Sequence, residues 1–154
     1  MALISNEEES VKLTPEVRAA LSSGHAAHLA TVNADGSPQL SVVWIGLDDD
    51  EIVIGHLRHG RKLTNILRDP RVVLTVETGE KSALGMIDYL IVHGRATVTE
   101  GGAPELLQRL AAVYAGPGVK FPPLENPPAG HIIHVTPERL GGVGPWSNWS
   151  PPSE

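Results

Sequence analysis

The sequence predicts a mainly β fold, in which six or more antiparallel strands form a closed or partly split barrel with flanking helices. Hairpins recur at regular spacing along the chain, and helix signals interrupt them at only a few places. A chain of 154 residues is of ordinary size for one domain. We place that domain at residues 14–149, between an acidic arm over residues 1–13 and a tail over residues 150–154.

The first half of the domain combines a short helix with three strands. Thr14, Pro15 and Glu16 have the pattern of an N-cap, a first helical residue and an acidic first turn. The helix is expected to continue to residue 23 and to end before Gly24. A tight Asp-Gly turn at residues 34–37 and an aspartate turn at residues 48–50 separate the strands. These strands are predicted over residues 25–33, 38–47 and 51–55.

A helix interrupts the strands after Gly55, and three further strands complete the barrel. This helix covers residues 61–68 and stops at Asp69 and Pro70, because proline cannot continue it. A second, amphipathic helix is predicted over residues 103–114. The remaining strands are predicted over residues 72–77, 88–100 and 131–140. We expect loops over residues 78–84 and 116–130, and an irregular tail over residues 141–149.

Composition narrows the possible partners. The formal net charge is -6 and the pI is about 5.6, so a basic face for nucleic acid is not expected. The chain has no cysteine, and its start carries three consecutive glutamates rather than an apolar run. No segment approaches the roughly 20 apolar residues that cross a bilayer. We expect a cytoplasmic protein with no membrane partner.

The strand that ends at Gly55 leads through a basic loop into a helix that opens with Arg61 and Lys62. A guanidinium can bind two phosphate oxygens, an ammonium adds a second charge, and free helix N–H groups face the same anion. Asn65 lies one turn further along and can face the same ligand. The alternative is a solvated basic face. The strand–glycine–helix junction favours a site for a phosphorylated small molecule.

The neighbouring strands offer a wall for a planar ring. A glycine such as Gly55, at the end of a buried strand, marks either a β-bulge or the close approach of a flat ligand to the backbone. The preceding strand carries Ser41, Val42, Val43 and Trp44. Backbone N–H and C=O groups can recognise the edge of a ring, so no side-chain acid or base is needed there.

The histidines occur in pairs whose spacing argues against a metal site. His25 and His28, and likewise His131 and His134, are three residues apart on predicted strands, so the members of each pair point to opposite faces. We therefore predict no metal site. His56 is the histidine expected near the anion site, with a surface role as the alternative.

Aromatic residues late in the chain have two interpretations. Trp146 and Trp149 are either core residues or interface residues, and Tyr89 has the same ambiguity. The glycines and proline around the tryptophans favour docking on a partner subunit or over a ligand. Neither a nucleophile elbow nor a phosphate-loop motif is present in the sequence. We assign no catalytic residue and expect the chemistry of a bound cofactor.

Several segments resemble, in order and spacing, the pyridoxamine-phosphate-oxidase-like (FMN-binding-like) split barrels. They are the hairpin over residues 28–39, the Gly60-Arg61-Lys62 junction with Asn65 and residues 68–72, the segment Val92-His93-Gly94-Arg95-Ala96, and residues 136–140 with Gly144-Pro145-Trp146. The last of these is similar to the carboxyl end of the branch that uses the deazaflavin coenzyme F420. The resemblance runs from about residue 14 to residue 149, nearly the whole chain.

The resemblance implies a homodimer of split β-barrels with two cofactor sites at the subunit interface. The ring would lie against the second and third strands, and the phosphate would meet Arg61 and Lys62. The expected cofactor is F420, with FMN as the alternative. The residues expected to bind it are Ser41, Val42, Val43, Trp44, Gly55, His56, Arg61, Lys62, Asn65, Tyr89 and Trp146.

Two functions follow from this resemblance and stay open at this point. One is an F420H2-dependent, or alternatively FMN-dependent, oxidoreductase that moves a hydride between the cofactor and an unsaturated small molecule. The other is a non-catalytic carrier of a flavin, a deazaflavin or haem, with His56 or His93 as the axial ligand of haem. The chain lacks an obvious substrate-phosphate cluster, so oxidation of pyridoxamine phosphate itself is not expected.

Overall fold

The computed structural model describes residues 11–82 and 85–147. This part of the chain contains three helices and seven strands, and every strand pair is antiparallel. In chain order the elements are α1 (Pro15–Leu21), β1 (Ala27–Val32), β2 (Pro38–Val43), β3 (Gly46–Asp48), β4 (Glu51–His56), α2 (Arg61–Arg68), β5 (Arg71–Lys81), β6 (Ile87–Glu100), α3 (Ala103–Tyr114) and β7 (His131–Val143). The predicted mainly β class is confirmed.

The strands form one sheet whose two edges are consecutive in the chain. Its order is β2-β1-β5-β6-β7-β4-β3, so β2 and β3 lie at opposite ends. Only Trp44 and Ile45 separate these two strands in sequence. Three Cα–Cα steps reach at most roughly 11 Å, so the sheet has to curl until its edges are neighbours. This closure produces the split barrel that the sequence predicts.

Aliphatic side chains fill the barrel interior. Along β1, for example, Ala27, Leu29 and Thr31 are buried and alternate with more exposed residues, as expected for a strand with one face on a core. Fully burying one such aliphatic side chain contributes about 1.5–3 kcal/mol. The largest fully buried side chains of this core are Leu21, Leu29, Ile45, Ile52, Ile54, Leu74, Leu90 and Ile133.

A second, smaller core forms where α3 covers β3 and β4. Val53 of β4 packs with apolar residues of α3, and Trp44 stacks on Tyr114 with ring centroids 5.2 Å apart. Two glycines allow the helix to approach the strands closely. A Cβ at Gly46 would lie 2.9 Å from Leu110 Cδ2, and a Cβ at Gly55 would lie 2.9 Å from Leu107 Cγ. Glycine at both positions therefore lets α3 pack directly on β3 and β4.

The three predicted helices are present. The Thr14 hydroxyl caps α1 by accepting from the Val17 N–H at 3.4 Å, although this helix ends at Leu21, two residues earlier than predicted. At the end of α2, Asp69 accepts hydrogen bonds from Arg71, which lower the pKa of the Asp69 carboxyl to about 2. None of the helices in residues 11–82 and 85–147 is long and apolar enough to cross a membrane.

The predicted second strand, over residues 38–47, is wrong as a single element. It divides into β2 and β3, because β2 pairs with β1 at one edge of the sheet while β3 pairs with β4 at the other. The Tyr114 hydroxyl fixes the link between β2 and β3. It accepts a hydrogen bond from the Ile45 N–H at 3.1 Å and donates one to the Ile45 carbonyl at 3.2 Å. The predicted second strand is therefore interrupted at residues 44–45, between β2 and β3.

Two segments predicted as irregular are strand. Residues 78–81 continue β5 past a bulge. Most of them are exposed to solvent, which is consistent with their polar side chains. Gly141 and Gly142 belong to β7 and pair with β6; a Cβ at Gly142 would lie 2.2 Å from the Tyr89 carbonyl oxygen. Polar and glycine-rich strands resemble loops in sequence, which explains both errors. Residues 83–84, and the predicted tail beyond residue 147 with Trp149, lie outside the described residues.

Candidate functional site

The junction between β4 and α2 leaves the start of a helix without a cap. Gly60 occupies the N-cap position and has no side chain to accept from the first turn, which also contains no acidic residue. The loop folds back so closely that a Cβ at Gly60 would lie 3.2 Å from His56 Nε2. The N–H groups at the beginning of an α-helix have no intrahelical acceptor. This helix start can therefore receive an anion.

Basic side chains gather at this helix start, and we call His56, His59, Lys62 and His131 the histidine–lysine cluster. His56 and His131 are register partners on β4 and β7, and the rings of His59 and His131 are 6.2 Å apart. The Nδ1 atom of His131 is buried without a hydrogen-bond partner. The cluster thus combines positive charge with an unsatisfied buried polar atom.

Burial shapes the electrostatics of the histidine–lysine cluster. It lowers the pKa of the half-buried Lys62 ammonium, and it is also the main cause of a lowered pKa at His56, to which Lys62 contributes next. Among the described residues no carboxylate forms an ion pair with Lys62. A bound anion would supply the missing charge, so the cluster fits a phosphate chemically.

Arg61 points away from Lys62, because consecutive residues of a helix lie about 100° apart around its axis. Its exposed side chain lines a separate cavity of about 680 Å³ between α2 and the β1–β2 turn. There it approaches Asp35, whose pKa is lowered mainly by hydrogen bonds from Ser37 and slightly by Arg61. The structure therefore separates the predicted pair: Lys62 belongs to the histidine–lysine cluster, and Arg61 lines the neighbouring cavity.

Asn65 is buried, at 3% exposure, and its amide is occupied by protein partners. The Nδ2 group donates to Thr31 Oγ1 and to Asn33 Oδ1, both at 3.0 Å, and its oxygen accepts from Arg68 at 3.3 Å. The Arg68 guanidinium also donates to the Val32 carbonyl. Asn65 therefore ties α2 to the β1–β2 hairpin, a structural task that the sequence did not indicate.

The residues predicted to wall a ring do not share one face. Ser41 and Val43 point into the barrel, where the Ser41 hydroxyl oxygen is buried without a hydrogen-bond partner, whereas Val42 is 62% exposed on the outer face. Trp44 packs on Tyr114 in the small core. The position of Gly55 is explained by the close approach of α3, with no ligand required.

Tyr89 and Trp146 lie together at the far end of β6. The Trp146 indole Nε1 donates to the Tyr89 carbonyl at 3.2 Å, and its ring packs against the main core. His131 of the histidine–lysine cluster pairs with Glu100, at the opposite end of β6. Ten residues of strand lie between Tyr89 and Glu100, so the two are roughly 35 Å apart along the chain. One copy of the chain therefore does not bring all the predicted site residues together.

Sequence reasoning missed His59 and His131 as members of the cluster. The signal that could have found His131 is the antiparallel pairing of a strand that ends in histidine with one that begins in histidine, which places His56 beside His131. The described residues contain no group of three histidine, aspartate or glutamate side chains arranged to hold a metal ion. His93, the other histidine considered for haem, lies away from the cluster and next to Arg139.

The fold agrees with a family assignment from the sequence. Residues 13–144 match the profile of the family described as pyridoxamine 5'-phosphate oxidase. The chain belongs to that family. The match spans the barrel from the residue before the cap of α1 to the residue after β7, so the family relationship concerns the whole described fold. No curated protein matches the chain.

Several solved structures share the fold of this chain. An F420 reductase is 27% identical, with a TM-score of 0.63, over 80% of this chain and 94% of its own. A conserved hypothetical protein from Mycobacterium tuberculosis is 22% identical, with a TM-score of 0.64, over 90% and 87% of the two chains. A FAD-binding protein from Mesorhizobium loti is 17% identical, with a TM-score of 0.57, over 82% and 89%.

Proposed function

We propose that the protein is an F420H2-dependent oxidoreductase that transfers a hydride between the deazaflavin and an unsaturated small molecule. It acts as a homodimer with cofactor sites at the subunit interface. The observation that carries this proposal is the half-buried Lys62, which has no carboxylate partner among the described residues and lies at an uncapped helix start. An anionic ligand would relieve the cost of that buried charge.

The phosphate of the cofactor is assigned to the histidine–lysine cluster. The Lys62 ammonium and the free N–H groups at the start of α2 would hold its oxygens, with His56 and His131 beside them. Arg61 lies in the adjoining cavity, where it can contact a more distant part of an elongated anionic cofactor. The chain's residues thus bind and orient the cofactor through its charged end.

A second copy of the chain supplies the rest of the cofactor site. Tyr89 and Trp146 lie too far along β6 to reach the same ligand as Lys62 within one copy, so a dimer that brings the two ends together completes the site. The outer face of β2 offers an apolar contact surface, since Leu40 and Val42 are 64% and 62% exposed. Homodimers commonly use one such patch on both subunits.

The deazaflavin supplies the hydride when it is bound. The protein contributes proximity, by fixing the cofactor through its phosphate, and exclusion of water, by covering the reaction partners with apolar side chains. We assign no side chain as proton donor. Support for F420 rather than FMN comes from the 27% identity to an F420 reductase and from the Gly144-Pro145-Trp146 ending.

The proposal is tested by titrating the purified protein with F420 and, separately, with FMN while following ligand fluorescence. We expect tighter binding of F420, and oxidation of F420H2 in the presence of a panel of quinones and enones. Tighter binding of FMN would show an FMN-dependent enzyme instead. Binding without turnover would show a carrier, and a Soret band after haem addition would identify a haem carrier.

A further inference from the structure

Three polar side chains on neighbouring strands form a continuous chain of hydrogen bonds, and we call Thr99, His134 and Glu51 the Thr–His–Glu triad. The Thr99 hydroxyl oxygen lies 2.8 Å from His134 Nε2, and His134 Nδ1 lies 2.9 Å from Glu51 Oε2. The three residues belong to β6, β7 and β4, which are adjacent in that order in the sheet. The triad therefore depends on the pairing of strands that are distant in sequence.

The strand register explains how the three side chains meet. His134 is the register partner of Thr97 on β6 and of Val53 on β4. Thr99 and Glu51 each lie two residues from these partners, so they share a face with His134 and are its diagonal neighbours. The triad is thus a diagonal row of side chains across three strands.

The triad lies on the opposite side of the sheet from the histidine–lysine cluster. Ile133 and Val135 are fully buried in the barrel core, so His134 between them points outwards. By the same alternation His131 lies on the core side of β7. Two strands, β1 and β5, separate β6 from β2, whose outer face is the proposed dimer contact, whereas α3 packs on β4 beside the triad.

The hydrogen bonds assign different roles to the two ring nitrogens of His134. An ionised carboxylate only accepts hydrogen bonds, so Nδ1 carries a proton and donates it to Glu51. The unprotonated Nε2 then accepts from the Thr99 hydroxyl and is positioned to remove its proton. A hydroxyl nucleophile, an imidazole base and an orienting carboxylate follow each other in the same order in the Ser-His-Asp triad.

The exposure of the triad suits a reaction with a molecule from solvent. Thr99 is exposed, so its hydroxyl oxygen is accessible. The His134 side chain is only 21% exposed and is held by hydrogen bonds on both sides. The nucleophile is therefore open to a reagent, while the base beside it is fixed in orientation.

We propose that Thr99 is an acylation site that takes an acyl group from an activated ester. Thr99 Oγ1 attacks the carbonyl carbon, His134 Nε2 accepts the hydroxyl proton, and the bond from that carbon to the leaving oxygen breaks. His134 then gives the proton to the leaving oxygen, so the products are an ester on Thr99 and a free phenol or alcohol. Glu51 is a positioning residue. This inference goes beyond the proposed oxidoreductase activity and uses none of the residues assigned to the cofactor.

The test treats the full-length protein with p-nitrophenyl acetate at about pH 8, where an ordinary imidazole is largely unprotonated. Release of p-nitrophenol gives the rate, and peptide mass spectrometry locates the acetyl group. We expect an acetyl ester on Thr99 that hydroxylamine removes, because hydroxylamine cleaves esters but not the amides of acetylated lysines. Thr99→Val should abolish this ester. Thr97→Val, at an exposed threonine on the same face of β6, is the matched control and should react like the wild type.

Variants of the other two residues test their roles. His134→Gln should slow acetylation of Thr99 about a hundredfold, because the general base is lost. Glu51→Gln should also slow it, whereas Glu51→Asp, which keeps a carboxylate, should lose less of the rate. Thermal unfolding of each variant establishes that it is folded.

The proposal would be overturned if the wild-type protein carried acetyl groups on lysines only. It would equally be overturned by the same reaction in the Thr97→Val and Thr99→Val proteins, or by a wild-type rate in His134→Gln. F420 takes no part in the assay, so none of these results bears on cofactor binding at the histidine–lysine cluster.

Discussion

At the level of single residues, the half-buried ammonium of Lys62 links stability to binding. Its pKa is lowered by burial, so the folded protein disfavours the charged form relative to the unfolded chain. The unfolded chain therefore binds more protons at pH values just below the ordinary lysine pKa of 10.5. This cost to the folded state is present in full at neutral pH and disappears as the pH rises above 10.5.

Lys62→Met should consequently raise the free energy of unfolding at neutral pH, by about 0.5–2 kcal/mol, as stabilising substitutions at functional positions commonly do. Urea denaturation measures the difference. The gain should vanish as the pH rises past 10.5, where lysine is neutral in both states. Lys120→Met, at an exposed lysine, is the matched control and should change little. A Lys62→Met protein that is less stable than the wild type would contradict this account.

Asn65 was predicted to bind the cofactor, but in the structure its amide holds α2 to the β1–β2 hairpin. Asn65→Ala removes the donor to Thr31 and Asn33, so the half-buried Asn33 side-chain oxygen loses this partner and the Thr31 hydroxyl keeps only its bond to Gln39. We expect a loss of about 1–3 kcal/mol in the free energy of unfolding, again measured with urea. Asn126→Ala makes the same chemical change at an exposed loop position and should be neutral. Equal stability of the two variants would mean that the hydrogen bonds of Asn65 contribute nothing.

At the level of elements, the packing of α3 on β4 depends on a missing side chain. Gly55→Ala places a Cβ 2.9 Å from Leu107 Cγ and forces the helix to shift. Overpacking of this kind typically costs about 1–3 kcal/mol, which thermal or urea unfolding would detect. Gly141→Ala is the control, because its Cβ has ordinary contact at 4.0 Å with Ile91. Equal stability of the two variants would contradict the steric explanation of Gly55. It would also be contradicted if adding Leu107→Ala to Gly55→Ala left the destabilisation by the new Cβ unchanged.

Local signals predicted most elements but not all of their pairings. The caps and stop signals of α1 and α2 are encoded by neighbouring residues such as Thr14 and Asp69, so the sequence alone located both helices. The division between β2 and β3 depends on distant contacts, above all the Tyr114 hydroxyl bound to Ile45. No local pattern at residues 44–45 encodes that contact, so the break could not be predicted.

The same distinction applies to the candidate site. Lys62 and His56 were predicted because the strand-to-helix junction is contiguous in sequence, and the structure brings them together. His131 arrives from another strand, 75 positions later in the chain, and only the register of β4 with β7 places it there. The structural roles of Asn65 and Gly55 also depend on residues far away in sequence, so they could not be separated from ligand binding in advance.

At the level of the whole molecule, the candidate site residues lie at opposite ends of β6, which calls for a second copy of the chain. We predict that the protein sediments as a dimer. Leu40→Glu combined with Val42→Glu should make it monomeric, because charges would enter an apolar contact. Val113→Glu, at an exposed valine of α3, should leave the dimer intact. Analytical ultracentrifugation decides between these outcomes, and a monomeric wild type at tens of micromolar would refute the prediction.

The most direct test of the central claim is the affinity of the protein for F420 when the Lys62 ammonium is removed. We predict that Lys62→Ala weakens F420 binding by about 1–3 kcal/mol, the range of charge-assisted contacts, that Arg61→Ala weakens it less, and that Lys120→Ala leaves it unchanged. Fluorescence titration gives all three values. Wild-type affinity in both Lys62→Ala and Arg61→Ala would contradict the assignment of the phosphate to the start of α2.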